Sequence, residues 1–345
     1  MRVFVTGATG LLGNNTVRTL EAGGHEVVAL VRSRDKAKIL LRGTRAEIVT
    51  GDMRDVAALE RFLAGCDAVI HTAAYFREYY APGEHAGALE EINVGGSLAL
   101  LDSADRHGVR RFVHVSSSGV IGHKSDGSPG DEDTPASAEQ LRNLYFRSKV
   151  QGDAKIRAFT PRQRLEVVTI HPGWMFGPGD AGPTSAGKLC LDLVARKLPG
   201  VPPGGACVVD ARDVAFALGG ALEIGRHGDR YIVAGEPRTL REILDAAADA
   251  ASLPRLRLDI PTPFAILAAH GSEMFARITG GAPSIPLEGV RALLGRHYVS
   301  SARAVRELGV SFRSLDDTMR ATIGWYRDEG YFERARGREQ PSAVA

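Results

Sequence analysis

The first half of the chain alternates short apolar runs with longer segments whose apolar residues recur at helical spacing. Short apolar runs bounded by glycine or polar residues are typical of strands that are buried on both faces. Between them, Leu12, Val17 and Leu20 fall on one side of a helix. The pattern predicts six strands and four helices: strands at 2–6, 25–31, 47–50, 68–71, 112–116 and 165–171, and helices at 11–22, near 56–63, at 89–107 and from 145 to about 159.

Strands separated by helices predict an α/β fold with a parallel sheet, doubly wound because right-handed crossovers place helices on both faces. After about Gly173 the alternation is broken by proline and glycine, with a strand expected at 231–234 and a helix at 239–251. We therefore expect three segments along the chain. They are a large domain at 1–172, a smaller mixed α/β part at 173–333 that can return strands or helices to the large domain, and a flexible tail at 334–345.

Composition narrows the class of protein. The chain has 345 residues, of which 44% are hydrophobic and 24% are charged, and its formal net charge is +2. This balance is typical of a globular protein and gives no reason to expect nucleic acid as a partner. No apolar run reaches the roughly 18 residues that a transmembrane helix needs, so no membrane partner is expected either.

The cysteines bear on metal binding and on the cellular compartment. Cys66, Cys190 and Cys207 are odd in number, far apart, and form no CxxC pair. This spacing argues against a disulfide framework and against a zinc site. Because the first strand is predicted to begin at Arg2, we expect no signal peptide. The expectation is a cytoplasmic protein without a metal.

The loop between the first strand and the first helix has glycines at a characteristic spacing. It reads Thr6-Gly7-Ala8-Thr9-Gly10-Leu11-Leu12-Gly13 and has the form GxxGxxG. One glycine permits the tight turn, one lets the backbone approach a pyrophosphate, and one lets the helix pack closely on the strand. The free N–H groups at the start of the helix would face the phosphates. Glycine-rich turns are common, but this strand–loop–helix context predicts a dinucleotide site.

The end of the second strand bears on the choice between NAD and NADP. An NAD site usually has Asp or Glu there, accepting from the ribose hydroxyl. Here the strand ends in Ala29-Leu30-Val31-Arg32, and the cations Arg34 and Lys36 follow. A guanidinium can make two charge-assisted hydrogen bonds to a 2′-phosphate. Arginine is also common on surfaces, yet the pattern favours NADP over NAD, with Arg32 as the partner of the phosphate.

Two further strand ends could border the cofactor. Asp52 follows the third strand in Gly51-Asp52-Met53, where a carboxylate can accept from an adenine amino group. The small residues of His71-Thr72-Ala73-Ala74, after the fourth strand, would let the cofactor lie close over the sheet edge. We expect Asp52, Met53 and Ala73 to contribute to the cofactor site, although either segment could be only a turn or a strand end.

A YxxxK motif carries the candidate chemistry. It is formed by Tyr145 and Lys149 and comes after a surface loop predicted at 123–138. The spacing places both side chains on one face of a helix. A phenol has an unperturbed pKa of about 10, and a neighbouring ammonium lowers that pKa, so the phenol becomes a usable general acid or base. Two salt-bridging helical residues would give the same spacing, but the position of the motif favours catalysis.

A serine run supplies a hydrogen-bond partner for the substrate. Ser116-Ser117-Ser118 follows the fifth strand, at the carboxyl edge where such sheets bind ligands. We select Ser117 as the partner of a substrate carbonyl oxygen. A shift of one residue, to Ser116 or Ser118, remains open.

Taken together, these motifs resemble the extended branch of the short-chain dehydrogenase/reductase family, of the NAD(P)-dependent epimerase/dehydratase type. The likeness covers nearly the whole chain to about residue 330 and is strongest to dihydroflavonol reductase-like and sugar-epimerase-like members. Besides the glycine loop and YxxxK, the motifs that carry it are Gly51-Asp52, His71-Thr72-Ala73-Ala74, Ile92-Asn93-Val94-Gly95-Gly96, the serine run, His171-Pro172-Gly173-Trp174-Met175-Phe176-Gly177-Pro178-Gly179-Asp180 and Val209-Asp210-Ala211-Arg212-Asp213-Val214-Ala215.

The resemblance implies a Rossmann-like dinucleotide-binding domain at 1–172 and a mainly substrate-binding part after it. It implies Tyr145 as the acid/base, Lys149 as holder of the nicotinamide ribose and Ser117 as the partner of the carbonyl. Asn93 would support the active-site helix or a water, and Pro172 would border the nicotinamide. The chain departs from the family at two positions: it has Ser97 where the family often has Thr, and His171 where the family often has Arg.

The favoured function is an NADP-dependent oxidoreductase that reduces a carbonyl, or oxidises an alcohol, of a small organic substrate. A nucleotide-sugar epimerase or dehydratase with tightly bound NAD is the alternative. A third hypothesis is a non-catalytic, redox-sensing dinucleotide binder, but such a protein needs no acid/base pair, so Tyr145 and Lys149 count against it. Aromatic groups at 75–80 and 174–176 could line a substrate pocket or pack the two parts together. Arg212 could meet a substrate anion or pair with an acidic neighbour. The chain could also form a homodimer.

Overall fold

A computed structural model describes residues 1–76, 84–162, 164–279, 283, 287–294, 298–335 and 337. Their strands are Arg2–Thr6 (β1), Glu26–Val31 (β2), Glu47–Thr50 (β3), Ala68–His71 (β4), Arg111–Val115 (β5), Glu166–Pro172 (β6), Trp174–Phe176 (β7), Gly205–Asp210 (β8), Arg230–Val233 (β9) and Glu236–Thr239 (β10).

The α-helices within the same part of the chain range from three to eighteen residues. They are Leu11–Ala22 (α1), Arg34–Leu40 (α2), Ala86–Ala88 (α3), Ser97–Arg106 (α4), Leu144–Arg157 (α5), Ser185–Val194 (α6), Ala211–Glu223 (α7), Leu240–Ala250 (α8), Thr262–Thr279 (α9), Leu287–Leu294 (α10), Ala302–Leu308 (α11), Leu315–Asp328 (α12) and Tyr331–Ala335 (α13). Short 3₁₀ helices lie at Ala57–Phe62, Ser118–Val120 and Gln140–Arg142, and a π-helix spans Leu89–Gly96.

Seven parallel strands form the larger sheet in the order β3-β2-β1-β4-β5-β6-β9. The chain runs outward from β1 to β3 and then returns to the other side of β1 to build the rest. The side on which successive strands are added to the sheet therefore changes between β1 and β4. The loops that follow these two strands lie at the same edge of the sheet. Doubly wound sheets bind their ligands at this point. The α/β, Rossmann-like fold is confirmed.

The central strand shows why apolar runs of this kind form a buried sheet. Val3 and Val5 of β1 belong to the hydrophobic cluster on one face, whereas Phe4 belongs to the cluster on the other face. All three side chains have no exposed surface. Because successive side chains of a strand point to opposite faces, a strand covered by helices on both sides must be apolar at every position.

A second, three-stranded sheet in the order β10-β8-β7 has its own hydrophobic cluster, which includes Phe176 of β7 and Tyr326 of α12. Helix α8 packs into this cluster and begins with a capping box. The Thr239 hydroxyl accepts from the backbone of Glu242, and the Glu242 carboxylate accepts from the backbone of Thr239. Such reciprocal capping is typical of a well-defined helix start.

The structure corrects several predicted elements. The helix near 56–63 is a 3₁₀ helix, and the helix at 89–107 begins as a π-helix before it continues as α4. The strand expected at 231–234 in the smaller part is β9, which pairs with β6 in the larger sheet. The predicted loop at 123–138 is a loop in the structure as well, and it contacts the rest of the protein because Gly130 N donates to Tyr298 O at 3.2 Å and Glu132 Oε1 accepts from Ile232 N at 2.9 Å.

The division at residue 172 remains a prediction. The predicted tail begins inside α13, and its residues 336 and 338–345 lie outside the described part of the chain. Within the described residues, no helix has both the length and the hydropathy needed to cross a membrane. Cys66, Cys190 and Cys207 are all free and buried.

The tie between α12 and the loop after β7 gives a test of stability. Tyr326 Oη donates to the buried Asp180 Oδ2 at 2.8 Å, and the Thr184 hydroxyl donates to the same oxygen. Tyr326→Phe should lower the free energy of unfolding by about 1.5–3 kcal/mol, because the carboxylate loses a buried charged hydrogen bond. Urea denaturation measures the change. Tyr298→Phe is the control, because the Tyr298 hydroxyl has no described partner; equal losses in both variants would contradict the assignment.

Candidate active site

The parallel register brings four strand ends together at one edge. In the pairing of β1, β4, β5 and β6, Thr6 is opposite His71, His71 is opposite His114, and His114 is opposite Thr169. At the ends of these strands lie the glycine loop, the His71-Thr72-Ala73-Ala74 segment, the serine run and Pro172. The motifs selected from the sequence therefore meet along one edge of the sheet.

The glycine loop is packed tightly against the loop after β4. Gly7 has a φ of +67°, which favours glycine, and a Cβ there would lie 2.9 Å from Ala73 N. A Cβ on Gly13 would lie 2.7 Å from the carbonyl carbon of Gly7. Gly10 begins α1 with no side-chain cap, so the first backbone N–H groups of the helix face the loop without a capping side chain. A cradle of bare backbone at a helix N-terminus fits a pyrophosphate.

The remaining residues of the loop divide between the surface and the core. Thr9 is half-buried, whereas Leu11 and Leu12 are buried, with Leu12 in the cluster that packs α1 on β1. Thr6 is fully buried and its hydroxyl accepts from Ala73 N at 3.2 Å. The side chains of Thr6 and Leu12 thus build the cradle rather than line it.

The three cations after β2 differ in their surroundings. Arg32 is exposed at the strand end. Arg34 donates to Thr50 Oγ1 at 3.1 Å and to Ile48 O at 3.3 Å, so it is tied to β3. Lys36 lies in α2, a helix that the sequence pattern missed, and its backbone N donates to the Ser33 cap. Of the three, Arg32 lies nearest the end of β2, because it directly follows Val31, the last residue of that strand.

Asp52 and Met53 occupy a turn after β3. The Asp52 carboxylate accepts from Arg54 N at 2.9 Å through Oδ1, a bond typical of an aspartate in a turn. Met53 is buried in the cluster on the α4 side of the sheet, and a Cβ on Gly96 would lie 2.8 Å from its carbonyl oxygen. The side chain of Met53 therefore belongs to the core.

Helix α5 presents one buried stripe to the sheet. Its buried residues recur at helical spacing and are Tyr145, Ser148, Lys149, Gly152, Asp153 and Ile156. Asn143 starts the helix, accepting from Phe146 N at 3.1 Å. Tyr145 is 8% exposed, and its ring centroid lies 4.8 Å from that of Phe76. The stripe therefore aligns the phenol, the lysine and a carboxylate along the sheet edge.

Lys149 is buried beneath the edge of the sheet. Its ammonium donates to Val115 O, the last residue of β5, at 3.1 Å. Burial lowers the pKa of Lys149 to about 8, and the negative charge of Asp153 acts in the opposite direction. The lysine is thus largely charged at neutral pH and lies one helical turn from Tyr145.

The three serines after β5 have different surroundings. Ser116 is buried and its hydroxyl donates to Asp153 Oδ2 at 2.9 Å, so it points beneath the sheet edge. Ser117 is half-buried and its hydroxyl accepts from Gly119 N at 3.1 Å. Ser118 begins the short 3₁₀ helix. The proton of the Ser117 hydroxyl is not used by that bond, and this geometry favours Ser117 over Ser116 as a donor.

Asn93 connects the loop after β4 to helix α5. Its amide pairs with the backbone of Tyr75, accepting at 2.7 Å and donating at 3.1 Å. It also donates to Ser148 Oγ at 3.2 Å, and Ser148 in turn donates to Tyr145 O. Asn93 lies in the π-helix, a form that is often found at functional sites.

A chain of buried hydrogen bonds joins Asn93 to the glycine loop. Ser97 Oγ donates to Asn93 O and lies 2.9 Å from His71 Nε2, while His71 Nδ1 lies 2.8 Å from the Thr6 hydroxyl. Since Ser97 uses its own proton on Asn93, the network assigns the imidazole proton to Nε2. Burial and the neighbouring His114 and Lys149 lower the pKa of His71 well below its usual range, which agrees with a neutral ring.

The sequence-based search missed Asp153. This carboxylate is 6% exposed and lies 2.9 Å from His171 Nε2 and 3.5 Å from His114 Nε2. Burial alone would raise the pKa of Asp153, but the contacts with His114 and His171 lower it below its usual range. The available signal was its position, four residues after Lys149 on the same helix face.

The surroundings of Arg212 and of the aromatic residues bear on whether they line a substrate pocket or only pack and pair within the protein. Phe176 is fully buried in the smaller core, and the half-buried Trp174 and Met175 pack against the hydrophobic clusters, so this group contributes to the packing. Arg212 makes a bidentate pair with Asp210 at 2.9 and 2.6 Å, its acidic neighbour. Of the other aromatic group, residues 77–80 lie outside the described part of the chain.

A doubly wound sheet with a glycine cradle and a Tyr–Lys pair at its carboxyl edge defines a nicotinamide-dependent enzyme. The model of the NAD dependent epimerase/dehydratase family matches residues 3–234, and the chain belongs to that family. A protein of Synechocystis sp., provisionally named dihydroflavonol 4-reductase, is 32% identical over 333 residues, which cover 95% of each chain. The chain is thus an NAD(P)-dependent enzyme of the extended short-chain dehydrogenase/reductase type.

Solved structures show the same architecture. A nucleoside-diphosphate-sugar epimerase from Pseudomonas aeruginosa is 27% identical, with a TM-score of 0.77 and 96% and 99% of the two chains covered. A double mutant of a dTDP-glucose 4,6-dehydratase from Streptomyces venezuelae, with NAD bound, is 25% identical, with a TM-score of 0.76 and 97% and 100% covered. These likenesses, to an epimerase and to a dehydratase, support a nicotinamide cofactor in this chain.

The contact between Gly13 and the loop gives a test of the cradle. A methyl group on Gly13 must displace the Gly7 backbone, so Gly13→Ala should weaken NAD(P)H binding by about tenfold or more and cost about 1–3 kcal/mol of stability. Fluorescence titration and urea denaturation measure the two effects. Gly219→Ala in α7 is the control, because a Cβ there meets nothing within 4 Å. Wild-type affinity in Gly13→Ala would show that the close approach is not needed.

Proposed function

We propose that this protein is an NADP-dependent oxidoreductase that reduces a carbonyl group, or oxidises the corresponding alcohol, of a small organic substrate. The observation that carries the proposal is that Tyr145 lies one helical turn from the buried Lys149, whose ammonium donates to Val115 O, two residues before Ser117 in the chain. The nicotinamide supplies or takes up the hydride when it is bound. The protein has to hold the carbonyl, move one proton and exclude water.

Proton movement falls to Tyr145. Its unperturbed pKa of about 10 makes it a poor acid or base near neutrality. The Lys149 ammonium stabilises the phenolate, and burial beside the Phe76 ring keeps bulk water away from both groups. Tyr145 Oη then gives its proton to the carbonyl oxygen in reduction and takes the proton back in oxidation, while Ser117 donates a hydrogen bond to that oxygen.

The cofactor is proposed to lie along the edge from β2 to β6. Thr6, Gly7, Thr9, Gly10, Leu11, Leu12 and Gly13 would form the cradle for the pyrophosphate. Asp52 and Met53 would lie beside the adenine, with Arg32 at the 2′-phosphate. Ala73, Asn93, Tyr145, Lys149 and Pro172 would surround the nicotinamide and its ribose. Support comes from the exposure of Arg32 and from the absence of an acidic residue at the end of β2.

Tyr145→Phe tests the proton donor. The change removes the hydroxyl but keeps the ring that packs on Phe76, so we expect turnover to fall by about 10²-fold or more. Dinucleotide affinity should change much less. Steady-state kinetics over a panel of ketones and aldehydes with NADPH, with Tyr298→Phe as the control, give the measurement. If Tyr145→Phe kept wild-type turnover on a verified substrate, Tyr145 would not be the proton donor.

Arg32→Ala tests the cofactor preference. Loss of a charged hydrogen bond typically costs about 1.5–3 kcal/mol, so NADPH affinity should fall by roughly ten- to a hundredfold while NADH affinity stays nearly unchanged. Both reduced cofactors are titrated against wild type, Arg32→Ala and the control Arg34→Ala, whose guanidinium is engaged by β3. Equal losses of both cofactors in Arg32→Ala would show that Arg32 supports the fold or the adenine instead.

A nucleotide-sugar epimerase or dehydratase is the second candidate. It is favoured by the likeness to the NAD-bound dTDP-glucose dehydratase. Such an enzyme regenerates its cofactor in each cycle and keeps it bound. Analysis of the dinucleotide released on denaturing the purified protein separates the two. Stoichiometric NAD favours the epimerase or dehydratase, whereas an exchangeable site that prefers NADPH favours the reductase.

A further inference from the structure

A buried carboxylate lies directly behind the proposed catalytic pair. Asp153 is on the same face of α5 as Tyr145 and Lys149, one turn beyond the lysine and two turns beyond the tyrosine. Its oxygen Oδ2 accepts from the Ser116 hydroxyl at 2.9 Å and lies 2.9 Å from His171 Nε2. A carboxylate in such a place is costly unless nearby groups compensate its charge.

The groups that face Asp153 come from four elements. Lys149 is on its own helix, His114 is on β5, His171 is on β6, and Arg230 of β9 places Nη2 3.4 Å from His171 Nε2. His71 of β4 lies next to His114, with 5.8 Å between ring centroids. Burial lowers the pKa of both His71 and His114, so these two rings stay neutral near pH 7. Lys149 is therefore the cation on the α5 stripe that the carboxylate can stabilise directly.

We propose that Asp153 is a positioning residue of the active site: its buried charge holds Lys149 in the ammonium form, and through the lysine it favours the phenolate of Tyr145. This role rests on the proposed function of Tyr145 and Lys149. Asp153 pairs with His171, which stands where the family often has an arginine. The proposal gives this pair a function in the active site.

The electrostatics favour the lysine as the target of this charge. Side chains one turn apart on a helix lie about 5–6 Å from each other at Cβ, whereas those two turns apart are roughly twice as far. Asp153 therefore acts more strongly on Lys149 than on Tyr145. Burial already lowers the pKa of Lys149 to about 8, close to working pH. Without the carboxylate that pKa falls further, the ammonium is lost at lower pH, and the phenolate loses its partner.

The experiment measures the tyrosine without any substrate. The phenolate absorbance of the apo-protein is titrated between pH 6 and pH 11, and the curve of the same protein carrying Tyr145→Phe is subtracted. We expect Asp153→Asn to shift the Tyr145 midpoint upward by about half to one pH unit. Asp153→Glu, which restores the charge, should return it toward wild type. Ser116→Ala is the matched control, because it removes a hydrogen bond of the carboxylate and leaves its charge.

Activity gives a second readout of the same charge. In the pH profile of alcohol oxidation, the alkaline limb, where Lys149 loses its proton, should move to lower pH in Asp153→Asn by a similar amount. Asp153→Ser is measured in parallel as a second uncharged variant. The Tyr145 midpoint is compared with wild type in whichever of the two variants keeps the wild-type circular dichroism spectrum. An unchanged Tyr145 midpoint in a folded, uncharged variant would overturn the proposal. Because that titration needs no turnover, it is independent of whether Tyr145→Phe abolishes activity.

Discussion

The parallel register of β1, β4, β5 and β6 is the constraint on which the site depends. Each of these strands ends in a polar segment, and hydrogen bonding in register places Thr6, His71 and His114 side by side. A shift of one residue in any pairing would turn apolar side chains away from their cluster, so packing on both faces specifies the register. The same packing that stabilises the sheet therefore fixes the positions of the chemical groups at its edge.

Several polar side chains behind that edge are buried. Thr6, His71, Ser97 and Asn93 form one hydrogen-bonded chain, and Ser116, Asp153 and His171 form another. Buried polar groups are stable only when they are paired, so each chain allows few arrangements of its members. The first chain links the glycine loop to the π-helix, and the second links β5 and β6 to α5. The glycine loop and helix α5, which carries the Tyr–Lys pair, are thus connected through the interior of the protein, since Asn93 also donates to Ser148 of α5.

Much of the larger sheet could be predicted from the sequence, because strands buried on both faces are continuous apolar runs. The apolar runs at 2–6, 47–50 and 68–71 coincide with the observed bounds of β1, β3 and β4. The apolar pattern does not predict features that tertiary contacts determine. Apolar spacing does not separate α from π geometry at Leu89–Gly96, and it does not show that Arg230–Val233 joins the larger sheet. Short α2 depends on its Ser33 cap more than on an apolar face.

The candidate site divides in the same way. The glycine loop, the Tyr–Lys pair and the serine run are local motifs, so the sequence indicated them. Asp153 gains its importance from His171 and Ser116, which are distant in sequence, and no local pattern marks such a contact. The contact of Arg34 with Thr50 of β3 likewise joins residues that are separated in the sequence, and no local pattern marks it.

The late position of β9 has a consequence for the order in which the chain can assemble. Strand β6 is complete at residue 172, but its neighbour β9 begins only at residue 230, after β7, β8 and α7 have been made. During synthesis from the N-terminus, β6 therefore has an unpaired edge while nearly sixty further residues emerge. Exposed apolar edges are prone to mispairing, and pairing over such a distance is slow. A fragment that stops at residue 172 would carry this edge permanently, so it is expected to aggregate even though it contains the whole glycine loop and the Tyr–Lys pair.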